Sequence, residues 1–423
     1  MTKTNSNILI APISFTLNEL ANIKSQIARL DWGILLESAD SEHIDSRWSI
    51  FSAEPIANIL SYQGTSRITQ GDQIVYDNAD PLALQQNLRE KLFYNETIST
   101  DLPFTGGVLG YFAYELGYYF ENINNANKPS GLGLPEMAIG FYNWALVIDH
   151  HTQQQYLLVH KHKGCDQRLQ ILWQQRFDWL NRLKLSENSN VKFSLSSSWQ
   201  ANMTKSQYAE KFSQIQEYIL AGDCYQVNLA QRFQASYSGD EYQAYQALLT
   251  DNRPPFAAFL RLPEHAIISL SPERFIKLHN NIVETKPIKG TRPRFTDLAE
   301  DALSKQALLN SAKDRSENLM IVDLLRNDIG RVCLPGSVAV PKLFDIESFP
   351  AVHHLVSTVI GELDSSHSSE DLLRACFPGG SITGAPKIRA MEIIAELEPH
   401  HREVYCGSIG YINGDGRSDT NIA

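Results

Sequence analysis

The chain has 423 residues, 43% hydrophobic and 20% charged, with 48 Asp and Glu against 37 Lys and Arg, for a formal net charge of -11. That composition describes a globular chain, long enough for two or three average domains or for one large α/β or α+β unit with a substantial core. The acidic excess argues against a basic phosphate-binding face, and so against nucleic acid as a partner.

The opening "MTKTNSNILIAPISF" lacks the apolar core and cleavage site of a secretory signal, and no apolar run reaches membrane-spanning length. Helical patches are predicted near 14–29 and 166–183, and "SRITQGDQIVY" and "QQYLLVHKH" read as antiparallel strands. The five cysteines, Cys165, Cys224, Cys333, Cys376 and Cys406, include no C-x-x-C pair and read as reduced thiols. A cytoplasmic protein, with no membrane contact and no zinc site, is the expectation.

The polar stretch "KLSENSNVKFSLSSSWQANMTKSQ" marks a linker at 184–207 between an N-terminal region, 1–183, and a C-terminal region, 208–423. A helix is predicted at about 205–220, then strands at "CYQVNLAQRFQASY", "FAAFLRL" and "HAIISL", then a helical run over 297–328 broken in its middle. Strands and helices come in blocks, which favours α+β over a doubly wound sheet. "GGVLGYF" and "CGSIGYI" echo one another weakly.

Several motifs could carry chemistry. In "ETKPIKGTRPR", Pro287, Gly290 and Pro293 predict an irregular, rigid path that holds Lys289. Lys289 is either a solvated loop lysine or a nucleophile whose pKa is pushed down by burial or by Lys286, Arg292 and Arg294. Glu273 in "SLSPERF" sits at a strand end, as a general acid or base or as the partner of Arg274 or a distant arginine. Glu317 shares a helical stripe with Met320, Ile321 and Leu324, so it needs a partner; an arginine is the simpler one and a hard cation the alternative. In "FPGGSITGAPKIRAMEIIAELE" a glycine-rich turn opens a helix with Pro386 in its first turn. It could cradle a small anion, but Ala385 and Pro386 stand where a Walker A loop needs Lys and Ser or Thr. His353 and His354 fall on opposite faces of the strand predicted for "FPAVHHLVST".

The ordered series "SPERF", "PIKGTRPR", "DRSENLMIVDLLRNDIGRV", "FPAVHHLVS", "FPGGSITGAPKIRAMEII" and "YCGSIGY" resembles the chorismate-utilising enzymes. That family comprises the anthranilate, aminodeoxychorismate, isochorismate and salicylate synthases. The likeness covers the chain from about 205, and "LLESAD" and "GGVLGYFAYELG" resemble the family's N-terminal region. It implies a large two-part α+β fold, with antiparallel sheets face to face and helices outside. It also implies chorismate as substrate, Mg2+ as cofactor, Glu317 as metal ligand and Glu273 as general acid. His354 would lie near the ring hydroxyl, with Gly290, Thr291, Ser381, Gly384 and Tyr405 around the substrate. Ser38, Pro255 and Phe256 match the family's tryptophan pocket.

Lysine at position 289 is typical of the aminodeoxychorismate branch, where the others have alanine. The resemblance therefore implies a covalent Lys289 intermediate, on the way to 4-aminobenzoate and folate, with ammonia from a separate glutamine amidotransferase subunit. No cysteine here has the G-x-C-x-G context of a glutaminase nucleophile. At "GYINGDGRSDTNIA" a hairpin turn leads into a short return strand. Family members continue there with an Arg for a substrate carboxylate, a second glycine-rich loop and a further Glu for Mg2+. The alternatives are anthranilate synthase component I, which Lys289 disfavours, and, from that C-terminal difference, a catalytically impaired binder of chorismate or tryptophan.

Overall fold

Period-two alternation in the short N- and C-terminal segments builds two large antiparallel sheets. The computed structural model describes residues 2–38, 43–96, 99–123, 131–186 and 191–423. The 8-stranded sheet runs Lys3–Thr4, Ile8–Ile13, Gln154–His160, Trp144–Asp149, Trp48–Ser52, Gly33–Glu37, Phe256–Leu262, His265–Ser271. The 12-stranded sheet starts at Ile288–Pro293 and passes through Val352–Glu362, Ile282–Thr285, Arg274–His279, Ser418–Asn421, Ser408–Asn413 and Gly107–Phe112. It continues through Met137–Tyr142, Ala57–Tyr62 and Thr65–Gln70 to Gln73–Asp77, and Ala339–Ser348 pairs beside Val352–Glu362. Both sheets draw strands from each side of the 184–207 stretch.

The sheets face each other across one apolar layer, in which Ile34, Ile50 and Leu158 of the first meet Leu109, Tyr111 and Ile409 of the second. Helices Leu17–Ile27, Leu169–Leu183 and Glu241–Asn252 cover the outside of the first sheet, burying Ile23, Leu180 and Tyr245 against Leu35 and Phe259. Helices Pro81–Leu92, Ala312–Gly330 and Ser369–Cys376 cover the second through Leu88, Ile329 and Leu373. This is the α+β arrangement expected. Leu109 is fully buried between the sheets. Truncating such a leucine to alanine costs about 2–5 kcal/mol.

Several predicted elements form as read. The long helical run breaks into Leu298–Leu309 and Ala312–Gly330, where the Ser311 hydroxyl caps the second helix by accepting from the Asp314 N–H at 3.3 Å. The two echoing glycine motifs turn out to be neighbouring strands, with Gly110 opposite Gly410. A side chain at either would strike the next strand's backbone: a Cβ on Gly110 would lie 2.2 Å from the Ala138 carbonyl oxygen. "INGDGR" does turn a hairpin, between Ser408–Asn413 and Ser418–Asn421.

Two expectations are corrected. "CYQVNLAQRFQASY" forms only the two-residue strands Gln226–Val227, Phe233–Gln234 and Tyr237–Ser238. Its backbone donors go elsewhere: Asn228 N–H to the Thr383 carbonyl, Ala230 N–H to Glu398 and Arg232 N–H to Asn202. The Lys289 stretch, expected as irregular, is a sheet strand, Ile288–Pro293, with one register slip between Ile288 and Thr291. Gly290, at φ +91°, takes up the slip as a bulge.

Among the described residues no helix is long and apolar enough to cross a membrane. All five cysteines are free thiols.

Candidate active site

The bulged strand and the glycine-rich turn bring the chemistry together. The Lys289 amine donates to the Ser381 carbonyl at 2.5 Å, and the Ser381 hydroxyl donates to Glu273 Oε1 at 2.6 Å. The Ile288 N–H also points at Glu273 Oε1, at 3.4 Å. Ser381 lies in the short helical turn Gly380–Ile382, and its carbonyl accepts a second bond from Asn228 Nδ2 at 3.0 Å. At this spot the turn expected to offer N–H groups to an anion offers a carbonyl to an ammonium or amine.

Gly384, just beyond that turn, pairs with Val227, and a Cβ there would lie 2.0 Å from the Gln226 carbonyl oxygen. Only glycine lets the turn come this close. The helix that follows is Lys387–Leu397, with Pro386 one place before it at the cap.

Burial sets the protonation states. Enclosure of the Glu273 carboxyl raises its pKa to about 7, against the lowering effect of the Ser381 hydroxyl and of Lys289. Burial lowers the pKa of Lys289, opposed by Glu273 and Glu317. The two shifts run in opposite directions, favouring the protonated form of the acid and the neutral form of the amine.

The neighbouring cations do not push Lys289 down, contrary to expectation, because each is matched by a carboxylate. Lys286 bonds Asp45 and Glu347, Arg292 bonds Asp314, and Arg294 bonds Asp301. Nor does Arg274 claim Glu273; it turns the other way, to Asp45, Glu284 and Asp419.

Thr291 and His354 face each other across the strand pair, Oγ1 to Nδ1 at 2.9 Å. Burial lowers the His354 pKa to about 4, so its imidazole is neutral at pH 7. His353 points to the other face, as its strand position predicts, and sits between Ser348 and Asp301.

A cleft of about 670 Å³ opens beside Ser381, with Glu317, Asn228 and Tyr405 on its walls. Tyr405 is exposed there. Glu317 borders the buried stripe of its helix, which runs through Asn318, Ile321 and Leu325. Its expected arginine is absent among the described residues; the cation beside it is Lys313, at 3.8 Å. A carboxylate so loosely held in an open cleft suits a hard cation that keeps most of its water, as Mg2+ does.

Ser38, Pro255 and Phe256 lie apart from this cleft, on a cavity of about 440 Å³ between the sheets. The Ser38 hydroxyl donates to the Pro255 carbonyl at 2.9 Å and ties the two segments together. The rest of "LLESAD", from residue 39, lies outside the described residues. Sequence reasoning missed Asn228, which braces the Ser381 carbonyl, and gave Lys286 the wrong part.

An acid and an amine held by one residue beside an open cleft suit proton transfer to, and nucleophilic attack on, a small molecule bound there. Residues 34–423 match the family model described as chorismate binding enzyme. The chain belongs to that family and is a chorismate-utilising enzyme. It is 50% identical over 398 residues to aminodeoxychorismate synthase component 1 of Escherichia coli (strain K12), covering 94% of this chain and 85% of that protein. It is 33% identical to anthranilate synthase component 1 of Bacillus subtilis (strain 168), over 97% of this chain and 82% of the relative. The crystal structure of anthranilate synthase component I from Streptococcus pneumoniae TIGR4 superposes with a TM-score of 0.78 at 30% identity, covering 90% of this chain and 83% of that one.

Proposed function

We propose that the chain is the synthase component that converts chorismate and ammonia to 4-amino-4-deoxychorismate, a step toward 4-aminobenzoate and folate. The observation that carries this reading is Lys289 itself, a partly buried amine linked through two hydrogen bonds and one residue, Ser381, to a carboxyl whose pKa is raised to about 7. Neutral Lys289 attacks C2 of chorismate, and Glu273 gives its proton to the departing C4 hydroxyl. Ammonia then adds at C4 and expels the lysine, so hydroxyl and amine exchange at one carbon. Neutral His354, held by Thr291, would hydrogen-bond the ring hydroxyl.

Glu317 would hold a Mg2+ ion, whose charge offsets that of a substrate carboxylate. Tyr405 and Ser381 line the space the ring would fill. Ammonia would come from a separate glutamine amidotransferase subunit, consistent with the component 1 names of the relatives. The cavity at Ser38, Pro255 and Phe256 would take tryptophan, whose indole suits the space between the sheets.

Incubation with chorismate, Mg2+ and an ammonium salt, followed by mass spectrometry, tests the reading. The expected product is aminodeoxychorismate, abolished or sharply reduced in Lys289→Ala. A 2-aminobenzoate product would favour the anthranilate alternative, and no product would favour a binder.

A further inference from the structure

Lys286 lies three residues before Lys289 and is 7% exposed. Its ammonium is 2.6 Å from Asp45 Oδ2 and 2.6 Å from Glu347 Oε1. Asp45 comes from the N-terminal region, in the segment that follows Ser38, whereas Glu347 lies on Ala339–Ser348, directly opposite His354. Glu347 also meets His43 Nε2 at 3.1 Å. His43 stacks on Phe349 at 4.4 Å, and Phe349 stands edge-on to His354 at 5.0 Å. The ligand atoms of His43, Asp45 and Glu347 all fall within 4.8 Å of one another, a spacing that could hold a metal ion. The Lys286 ammonium fills that role as an internal cation.

The connection to the chemistry is covalent and short. After Lys286 comes Pro287, with its φ fixed by the ring. Next is Ile288, whose N–H points at the Glu273 carboxyl, and then Lys289. Only Pro287 and Ile288 separate the anchored residue from Lys289, and Gly290, the glycine of the stretch, lies beyond them. Buried ion pairs often add no net stability over an apolar replacement, so fold stability alone is a weak account of this one.

We propose that Lys286 is a positioning residue, clamped by Asp45 and Glu347, that fixes the segment on which Glu273 and Lys289 are aligned. This rests on the reaction proposed above, but one arm of its test does not. The double substitution Lys286→Met/Glu347→Gln removes one charge of each sign, so the net charge of the site is unchanged, and leaves Asp45 bonded to Arg274. Four quantities are measured on it, on Lys286→Arg and on the unaltered chain. They are the melting temperature, kcat and KM for chorismate with ammonium, and the rate at which a small amine reagent modifies Lys289, located by mass spectrometry.

The double variant should melt near the unaltered chain yet lose about tenfold or more in kcat, because small misplacements of reacting groups are costly in rate. KM should change much less, and Lys289 modification should change about threefold or more as the amine leaves its partner. Lys286→Arg should recover part of kcat. The proposal is overturned by an unaltered kcat in the double variant, or by a kcat loss with unaltered Lys289 reactivity. Should the unaltered chain make no aminodeoxychorismate, the reaction reading fails, and the modification rate still decides the role of Lys286.

Discussion

The hydroxyl of Ser381 donates to Glu273 at 2.6 Å while the carbonyl of the same residue accepts from Lys289. One residue thus holds acid and amine at a set separation. Substituting it should change how the acid titrates before it changes the fold. In Ser381→Ala the ionised carboxylate loses a donor, so the Glu273 pKa rises further. The alkaline limb of the kcat profile, where the acid form is lost, should move to higher pH. A limb at the unaltered position would show that Glu273 is not the acid.

Glu273 also makes a prediction about stability. A carboxyl whose pKa is about 7 when folded and near 4.5 when unfolded binds a proton in the native state that the unfolded chain has released. Stability is therefore fullest below about pH 4.5 and falls as pH rises through 7. Glu273→Gln should abolish most turnover yet raise stability by on the order of 2–3 kcal/mol at pH 8, with little gain at pH 4.5. Urea denaturation at the two pH values checks this, and an equal effect at both would contradict it.

Gly290 adopts φ +91°, and a Cβ there would come within 2.8 Å of the Asp314 Cβ. Gly290→Ala should cost about 1–3 kcal/mol in backbone strain. It should also reduce turnover more than stability alone explains, because the bulge sets the register of Lys289 and Thr291. Gly336, at φ +81° but with open space around it, provides the comparison. Gly336→Ala should lose stability and no activity.

For Glu317 the test is a Mg2+ titration. Its carboxylate is 32% exposed and 3.8 Å from Lys313. Glu317→Gln should raise the Mg2+ concentration needed for half-maximal rate about tenfold or more, and Lys313→Met should lower it slightly by removing a competing charge. Unchanged Mg2+ dependence in Glu317→Gln would remove this residue from the metal site.

Much of the site was legible because its motifs are local. The strand-end glutamate and the alternation of His353 with His354 are properties of a few adjacent residues, and the structure has both, whereas the backbone around Lys289 is a bulged strand and not the irregular path expected. What was not legible is long-range pairing. Lys286 reaches Asp45 across 241 residues and Lys289 reaches Ser381 across 92, so a basic run that reads as mutually repelling cations is in fact neutralised pair by pair. Glu317 was misjudged for another reason. Helical spacing puts it with Met320 and Leu324, but those border the buried stripe, so an enclosed arginine partner was never required. The strand predicted over 224–237 failed because alternation cannot reveal that Glu398, Asn202 and the glycine-rich turn will take the backbone donors first.

The pairing of Gly107–Phe112 with Ser408–Asn413 has a bearing on how the molecule is made. During synthesis the first of these strands leaves the ribosome long before its partner is translated. The same is true of Gly33–Glu37, which waits for Phe256–Leu262. Neither large sheet can close early, so nascent chains carry apolar, half-paired edges for most of their elongation. Folding is consequently a late and slow event governed by distant contacts. The first 183 residues, produced alone, should depend on chaperones or aggregate, whereas a nick within 184–207 in the finished protein should leave two pieces that remain associated.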